Sequence, residues 1–373
     1  MENGLPWFQQ LHLFTSGIGG YFRYRIPALL ISQRGAILAF CEARKFTGRD
    51  SDQIDILLRR SFDGGNTFDE PRIILSEEGW VCGNPAPVLD HDTGIIWLLF
   101  CKNRIEDTES KICRGEGSRT IWLTCSRNDG ENWGEPVEVT ARVKPAEWDW
   151  YATGPGHGIQ LNSSRLLIPC DHSLNHPELD SKTHYFSHVI YSDDHGCTWM
   201  LGGSAPEDTN ECTAVETVPG QVYLNCRNAP GGPLQRSNND PQAGEPCYRI
   251  VAWGEDNGKT FPNFKVDLAL PEPICQASLC RLTDQYRHDR NRVIFSNPAS
   301  HKRENMTVRL SYDECRTWPV SRTIYQGPAA YSDLCVTQDS TICCLFESGT
   351  HMPYETLTFA RFNLAWLEEP AKE

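Results

Sequence analysis

The stretch DILLRRSFDGGNTF, from Asp55 to Phe68, decides how the rest of the chain is interpreted. Ile54, Ile56 and Leu58 alternate with other side chains, which predicts a half-buried β-strand. The S-x-D-x-G-x-T-F segment that follows predicts a tight turn, because Ser and Asp side chains bond to turn backbone groups and glycine readily adopts positive φ. The aromatic residue that ends the segment is expected to pack beneath the turn.

The same turn pattern returns four more times, at intervals of roughly 60 residues. The later copies are SRNDGENW from Ser126, SDDHGCTW from Ser192, GEDNGKTF from Gly254 and SYDECRTW from Ser311. The second copy departs from the pattern at Asn128 and Asn132, the fourth at Gly254, and the fifth at Cys315, which replaces glycine. Five copies at near-even spacing indicate a repeated architecture, although the turn alone carries little functional information.

Six continuous apolar runs recur out of phase with these turns. They are ILAFCE from Ile37, IWLLFC from Ile96, LLIPCD from Leu166, VYLNCR from Val222, VIFSNP from Val293 and ICCLFE from Ile342. Runs of this length are typical of strands buried on both faces, and we expect them to be the inner strands. The sequence therefore predicts an all-β fold, a six-bladed β-propeller of four-stranded antiparallel sheets. We expect one domain over residues 1–373, with its core at about 20–365.

Composition excludes several functional classes. The net charge of −14 argues against a nucleic-acid partner, because phosphate binding needs a basic face. No run approaches the roughly 18 to 20 apolar residues of a membrane span, and MENGLPWFQQLHLF does not resemble a secretion signal. We therefore expect a soluble protein that is not secreted and has no transmembrane segment.

The 16 cysteines are spread through the chain, and many lie inside apolar runs, such as Cys41, Cys101, Cys170 and Cys226. We interpret them as buried reduced thiols in a reducing compartment. No CxxC pair or zinc-like spacing occurs, so neither a metal nor a cofactor is predicted. Two N-x-S/T sequons, beginning at Asn162 and Asn305, are the evidence against this location.

In a propeller the inner strands converge, so residues at one end of them share a site although they are distant in sequence. The candidates near these strand ends are Arg25, Arg44, Arg227, Arg303, Asp50, Glu109, Asp171, Glu211, Glu347 and Tyr331. Several guanidinium groups at one point repel one another unless an anion lies among them. The predicted ligand is therefore a small anion.

Motifs throughout the chain carry a family resemblance. They are YRIPAL, the repeated turns, GNPAPV (Gly83–Val88), GPGHGIQL (Gly154–Leu161), NEC followed by LNCR, SNPAS with Arg303, and GPAAYSDL followed by LFE. Together these motifs resemble the exo-sialidase (neuraminidase) family, from about Tyr21 to Phe362. The combination is specific, whereas the turns alone occur in unrelated propellers.

The resemblance implies roles for these residues. Arg25, Arg227 and Arg303 would bind the carboxylate of sialic acid, and Glu347 would hold Arg25 in place. Arg44 and Glu109 would line the pocket near the ring substituents. Asp171 and His172 stand where some animal relatives have tyrosines, so the contacts beyond the sugar, and hence substrate preference, are expected to differ.

On the same resemblance Tyr331 would be the nucleophile, Glu211 its general base and Asp50 the acid/base toward the glycosidic oxygen. Sialic acid carries a carboxylate on its anomeric carbon, which would repel a charged attacking group but not a phenol. Because a free phenol has a pKa of about 10, it needs a carboxylate to take its proton. The residue types are therefore chemically consistent with retaining hydrolysis.

Other residues compete for these roles. Glu216 is a rival for the base, but Glu211 lies within the NEC motif. Asp52 and Asp55 compete with Asp50, and Asp55 is the more typical strand-face residue. His157 and His172 are more typical of hydrogen-bonded structure, with His172 at most a pocket-lining residue.

The long loop-like run at 228–246 is interpreted as a surface loop, with a rim that touches the leaving group as the alternative.

We predict an exo-α-sialidase acting on glycoproteins, oligosaccharides or gangliosides. The alternatives are a trans-sialidase, a hydrolase of a sialic acid variant, and a catalytically inactive sialic-acid-binding propeller. The expected location is cytoplasmic, with a lysosomal or peripherally membrane-associated location as the alternative.

Overall fold

A computed structural model of the chain describes residues 4–175, 183–218, 220–229 and 247–369. Within these ranges the structure is all-β, as predicted. The first twelve strands are β1 (Phe8–Thr15), β2 (Arg23–Ile31), β3 (Ile37–Arg44), β4 (Ile54–Ser61), β5 (Arg72–Leu75), β6 (Trp80–Leu89), β7 (Ile96–Arg104), β8 (Thr120–Ser126), β9 (Val137–Glu138), β10 (Trp148–Thr153), β11 (Ile159–Gln160) and β12 (Leu166–Asn175).

The remaining strands and the helices complete the described part of the chain. The strands are β13 (Thr183–Ser192), β14 (Met200–Glu207), β15 (Thr209–Glu216), β16 (Val222–Asn228), β17 (Cys247–Gly254), β18 (Asn263–Glu272), β19 (Ser278–Thr283), β20 (Arg292–Pro298), β21 (Glu304–Ser311), β22 (Val320–Val336), β23 (Ile342–Ser348) and β24 (Thr356–Phe362). The helices are α1 (Glu109–Ile112), α2 (Thr140–Val143) and α3 (Leu364–Glu368). None of these helices is long and apolar enough to cross a membrane.

Antiparallel pairing joins the strands into four sheets. Their orders are β1-β24-β23-β22-β21-β20-β19, β10-β12-β13-β14 with β11 beside β12, β15-β16-β17-β18, and β2-β3-β4-β6-β7-β8-β9 with β5 beside β4. The last sheet contains two antiparallel groups that meet in a single parallel bridge, between Ile54 and Val81. The first sheet likewise contains two groups, because the 17-residue strand β22 pairs with β21 up to Pro328 and with β23 from Ala329 onward.

The six apolar runs form β3, β7, β12, β16, β20 and β23, and each lies between two hydrogen-bonded neighbours. The prediction that they are the inner strands is wrong, because each run forms the second strand of its group and not the first. β12 contacts β15, and most contacts between groups involve β2, β6, β15, β19 or β22. These carry polar side chains such as Arg25, Glu211 and Tyr331, so their sequences do not read as continuous apolar runs. A strand flanked on both edges is the one most completely buried.

The hydrophobic core fills the spaces between adjacent groups of strands. Leu29 on β2 packs in one cluster with Leu345 and Phe359, which lie on β23 and β24. A second cluster joins Leu99 on β7 to Ile168 on β12. Because every group is covered by its neighbours, the polar strand ends can meet at one place without exposing the apolar faces.

The repeated turns have the predicted hydrogen bonds. In the first turn the Asp63 carboxylate accepts from the backbone N–H of Thr67 at 2.9 Å and from its hydroxyl at 2.7 Å. The same pair of bonds joins Asp194 to Thr198 and Asp313 to Thr317. The carboxylate therefore closes each of these three turns from within, which explains the fixed spacing of Asp and Thr within the pattern.

The structure bears on two further sequence predictions. Cys41, Cys101, Cys170 and Cys226 are buried free thiols, as predicted. The long loop predicted at 228–246 lies almost wholly outside the described residues, which omit 230–246.

Two turn glycines have nearly the same backbone conformation but different surroundings. Alanine variants of the two therefore compare the cost of backbone strain alone with that of strain plus steric overlap. Gly196 and Gly35 have φ of +88° and +87°, but a Cβ on Gly196 would lie 2.2 Å from the Trp97 ring, whereas one on Gly35 meets nothing within 4 Å. We expect Gly35→Ala to lower the free energy of unfolding by about 1–2 kcal/mol, and Gly196→Ala by about 1–3 kcal/mol more. Denaturant unfolding measures both, and equal losses would contradict the packing argument.

Candidate active site

Polar side chains from several groups of strands meet around a cavity of about 280 Å³. It is lined by Arg25, Ile26, Glu42, Arg44, Asp50, Val81, Asn84, Glu109, Arg119, Trp150, Ala152, Asp171, Asn210, Glu211, Arg227, Arg303 and Tyr331. Nine of the ten predicted site residues are among them. The tenth, Glu347, lies behind Arg25 and is fully buried. The structure therefore brings the whole predicted set together.

A distortion of β2 directs Arg25 into this cavity. The β2–β3 register shifts between Arg25 and Ala28, and Ile26 has φ of +56°, an uncommon conformation for a β-branched residue. The Ile26 N–H, freed from regular pairing, donates to the Glu347 carboxylate at 3.0 Å. The Ile26-Pro27 step thus breaks the strand where the arginine must turn inward.

Glu347 at the end of β23 holds this arrangement. Its carboxylate accepts from Nε and Nη2 of Arg25 at 2.9 and 3.2 Å, and from the backbone N–H of Tyr331 at 3.1 Å. Burial opposes the charge on Arg25, but the negative charge of Glu347 raises the pKa of Arg25 above its ordinary value. Arg25 is therefore a fixed, fully charged group.

Tyr331, Glu211 and Arg227 form a closed hydrogen-bonded set. The phenol of Tyr331 donates to Glu211 Oε1 at 2.5 Å. Nη1 of Arg227 donates to Glu211 Oε2 at 2.7 Å and to the phenol oxygen at 3.1 Å. Burial and the charge of Glu211 raise the pKa of Tyr331, although the surrounding arginines lower it. The resting phenol is therefore neutral, with a proton acceptor already in contact.

Arg303 completes the arginine cluster from the turn between β20 and β21. Its guanidinium lies 5.5 Å from the centre of the Tyr331 ring, and that of Arg25 lies 5.0 Å from the same ring. Arg303 donates to the Tyr354 hydroxyl at 2.7 Å and to the carbonyl of Ile274 at 3.1 Å. Three guanidinium groups from separate strand groups thus surround one phenol, an arrangement that favours a carboxylate ligand.

Asp50 lies at the rim on the loop between β3 and β4, with 74% of its side chain exposed. Its Oδ1 is 2.7 Å from Nη1 of Arg44 and 3.7 Å from Nη1 of Arg25. The charge of Arg44, followed by that of Arg25, lowers the pKa of Asp50 below its usual range in spite of partial desolvation. Asp50 is therefore ionised at neutral pH.

Another part of the cavity wall is acidic. Glu109 begins α1 and accepts from the Tyr185 hydroxyl at 2.8 Å, and burial raises the pKa of Glu109 to about 7. Asp171 on β12 is 1% exposed and accepts from the Asn210 amide at 2.9 Å. Burial and the charges of Glu211 and Glu109 raise the pKa of Asp171 well above its ordinary value. Both carboxyl groups of this wall therefore hold their protons to a higher pH than a solvated carboxyl group does.

His172, predicted to be at most a pocket-lining residue, does not line the cavity. Its ring stacks on Trp148 with centres 3.4 Å apart, and its Nδ1 is 3.1 Å from Nδ1 of His188. Successive residues of a strand point to opposite faces, so when Asp171 faces the cavity His172 faces the core. Burial and the nearby Lys144 charge lower the pKa of His172 to about 3, and the ring is neutral.

The rival acids and the other histidine have structural contacts. Glu216 lies at the far end of β15 and accepts from the Asn162 N–H at 2.7 Å. Asp55 accepts from the Tyr21 hydroxyl at 2.7 Å, and His157 contacts Asp333 at 2.8 Å. None of them lines the cavity that contains Tyr331.

Sequence reasoning missed several residues of the cavity. Glu42 accepts from Arg44 at 2.7 Å and from the Asn84 N–H at 2.8 Å. Arg119 donates to the Asn84 side chain at 2.6 Å and lies over the Trp150 ring. Asn84 falls within GNPAPV and Asn210 directly precedes Glu211, so motif position could have indicated both. No motif in the sequence indicated Arg119 as a site residue.

The described residues contain one group of three potential metal ligands, formed by Asp90, Asp92 and His195. It lies outside the cavity that contains Tyr331. No metal ligand set is therefore formed by the predicted site residues.

On an all-β scaffold, the site combines an arginine cluster around a tyrosine–glutamate pair with a carboxylate at the rim. This combination defines a glycoside hydrolase for an acidic sugar. Residues 35–344 match the BNR repeat-like domain. The chain is 31% identical to an exo-alpha-sialidase of Aspergillus fumigatus, over 98% of this chain and 92% of that protein. It is 30% identical to mouse Sialidase-3, over 97% of this chain and 96% of that protein. The chain belongs to the sialidase family.

A solved structure supports the fold. The Hadza microbial sialidase Hz136 superposes with a TM-score of 0.81 at 24% sequence identity. The match covers 96% of this chain and 69% of that one. The architecture is therefore that of a sialidase over nearly the whole length of the chain.

The raised pKa of Glu109 has a consequence for stability. Because the folded protein holds this proton up to about pH 7 and the unfolded chain releases it near 4.5, stability falls as the pH rises through that window. We expect Glu109→Gln to remove this loss and to gain about 1–3 kcal/mol relative to wild type between pH 4.5 and 7. Denaturant unfolding at several pH values measures it. The exposed Glu106→Gln is the control, and an equal gain there would contradict the argument.

Proposed function

We propose that the chain is an exo-α-sialidase that removes terminal α-linked sialic acids, with retention, from glycoproteins, oligosaccharides and gangliosides. The observation that carries this proposal is the 2.5 Å contact between Tyr331 and Glu211 amid three arginines. Binding alone would need only the arginines. A phenol in contact with a buried carboxylate favours catalysis over a lectin role.

The arginine cluster supplies the recognition of substrate. The carboxylate of sialic acid would accept from Arg25, Arg227 and Arg303, which restores charge balance to a cluster that is otherwise repulsive. Each guanidinium is already fixed by protein acceptors, which are Glu347, Glu211 and the hydroxyl of Tyr354 respectively. Little side-chain entropy is then lost on binding, which favours tight and specific recognition.

The first chemical step forms a tyrosyl glycoside. The phenol oxygen of Tyr331 attacks the anomeric carbon while Glu211 takes its proton, and the bond to the glycosidic oxygen breaks as Asp50 donates a proton to the leaving alcohol. In the second step Asp50 removes a proton from water, which attacks the anomeric carbon. Tyr331 then leaves and regains its proton from Glu211. Two inversions give retention.

Asp50 must be protonated for the first step, although its pKa is low in the free site. A substrate carboxylate among the arginines cancels part of the positive charge at Arg25, 3.7 Å from Asp50. The pKa of Asp50 then rises toward the range in which it can donate a proton. Substrate binding thus prepares the acid.

The groups of strands support a six-bladed propeller that acts as one catalytic unit. In this arrangement the groups are β2–β5, β6–β9, β10–β14, β15–β18, β19 to the first half of β22, and the second half of β22 to β24 with β1. Each consists mainly of antiparallel neighbours, as a blade does. The site residues then lie at one end of the central axis.

A cytoplasmic location is the proposal for the cell, because buried unbridged thiols such as Cys41 and Cys101 persist in a reducing compartment. The exposed sequon at Asn162 supports the lysosomal or peripherally membrane-associated alternative. The partner is a sialylated glycan, and no nucleic acid is expected.

Replacement of the nucleophile tests the mechanism. We expect Tyr331→Phe to lower kcat on a sialoside by about 10²–10⁴-fold, because no oxygen remains to form the covalent bond. Tyr325→Phe is the matched control, since this tyrosine lies on the same strand and donates to the Gly349 carbonyl outside the cavity. Release of sialic acid under substrate saturation is measured.

Binding of a sialic acid analogue distinguishes a loss of catalysis from a loss of substrate recognition. Tyr331→Phe should retain binding, because the three arginines remain. Turnover by Tyr331→Phe equal to wild type would contradict the tyrosyl mechanism. A wild type that binds the analogue but releases no sialic acid would establish the lectin alternative.

A further inference from the structure

The loop that carries Asp50 joins β3 to β4 over residues 45–53. The N–H of Lys45 donates to the carbonyl of Gln53 at 3.0 Å and closes its base. The N–H of Asp52 donates to the carbonyl of Arg49 at 3.2 Å and closes the turn that contains Asp50. Because the Asp50 side chain is mostly exposed, its position depends on the shape of this loop rather than on packing around it.

The Asp52 carboxylate fills the inside of the loop. Its Oδ2 accepts from the backbone N–H groups of Phe46, Thr47 and Gly48 at 3.0, 2.5 and 2.8 Å, and from the Thr47 hydroxyl at 3.1 Å. Its Oδ1 accepts from the N–H of Gln53 at 2.7 Å. One carboxylate therefore ties the incoming limb to the outgoing limb, and its negative charge strengthens each bond.

A second anchor holds the same loop from outside. Arg44 donates from Nη1 to the carbonyl of Gly48 at 3.1 Å, and its Nη1 also faces Asp50 at 2.7 Å. Glu42 accepts from Nε and Nη2 of Arg44 at 3.1 and 2.7 Å. The loop is thus fixed to β3 by a buried ion pair and internally by Asp52.

We propose that Asp52 is a positioning residue that holds Asp50 where it can protonate the leaving glycosidic oxygen. The proposal rests on the proposed function, since it concerns the acid step of that reaction. Asp52 is 4% exposed and both of its oxygens accept from the loop itself, so it does not compete with Asp50 as the acid.

The leaving group provides a readout specific to this role. A sugar alcohol is a poor leaving group and needs the proton from Asp50, whereas an aryl alcohol such as methylumbelliferone leaves without one. The ratio kcat/KM reports steps up to and including cleavage of the glycosidic bond, so it isolates the acid step from later attack by water. Misplacement of Asp50 lowers kcat/KM for sialyllactose much more than for the aryl sialoside.

Asp52→Asn is the test variant, because it keeps the size of the side chain but turns an NH₂ group toward N–H donors. We expect kcat/KM for sialyllactose to fall by about 10–100-fold, and that for methylumbelliferyl sialoside by less than about threefold. Thr47→Val, which removes one donor to Asp52, should shift the same ratio in the same direction by a smaller factor. Thr47→Val provides the test if Asp52→Asn does not fold.

Asp63→Asn is the matched control. Asp63 closes the turn at the other end of β4 with a similar set of bonds and lies outside the cavity, so it should leave the ratio between the two substrates unchanged. Equal losses on both substrates in Asp52→Asn, or no loss on either, would overturn the positioning role. Absence of turnover by the wild type on both substrates would instead overturn the proposed function, and this proposal with it.

Discussion

The buried carboxylate of Glu347 is the contact on which the site depends. It accepts from the side chain of Arg25, from the N–H of Ile26 and from the N–H of Tyr331, and so joins β2, β22 and β23. An unpaired charge in this position would be costly, because removal of one partner from a buried ion pair leaves the other without solvation. The distorted backbone at Ile26 persists because Glu347 satisfies the N–H that the distortion frees.

The carboxyl groups of the site differ in their neighbours, and their properties differ accordingly. Glu211 is paired with Arg227 at 2.7 Å, and Asp50 is held ionised by Arg44 and Arg25. Asp171 lies among other acids and has a raised pKa. Under the proposed mechanism, the same functional group would serve as proton acceptor or proton donor, or would only line the cavity, according to its neighbours.

The sequence predicted the strands well, because the repeated turns and the apolar runs are local patterns with a direct physical cause. It predicted the site through motifs such as YRIPAL and NEC, which keep functional side chains beside backbone signals. Arg119 could not be found in this way, since its partners Asn84 and Tyr151 lie on β6 and β10, far from it in the sequence. The position of the apolar runs was wrong by one strand because burial on both faces does not distinguish the first strand of a group from the second. The orientation of His172 required the register of β12 against β10, which pairs His172 with Tyr151.

The pairing of β1 with β24 and the bond between Arg25 and Glu347 have a consequence for how the molecule is made. Arg25 and Glu347 are 322 positions apart, and β1 and β24 pair residues that are still farther apart, such as Phe8 and Phe362. During synthesis the amino-terminal strands emerge first and wait for partners that the ribosome has not yet produced. The cluster of Arg25, Arg227 and Arg303 therefore lacks the support of Glu347 until β23 has been translated, so the nascent polypeptide cannot hold Arg25 in its final position before then.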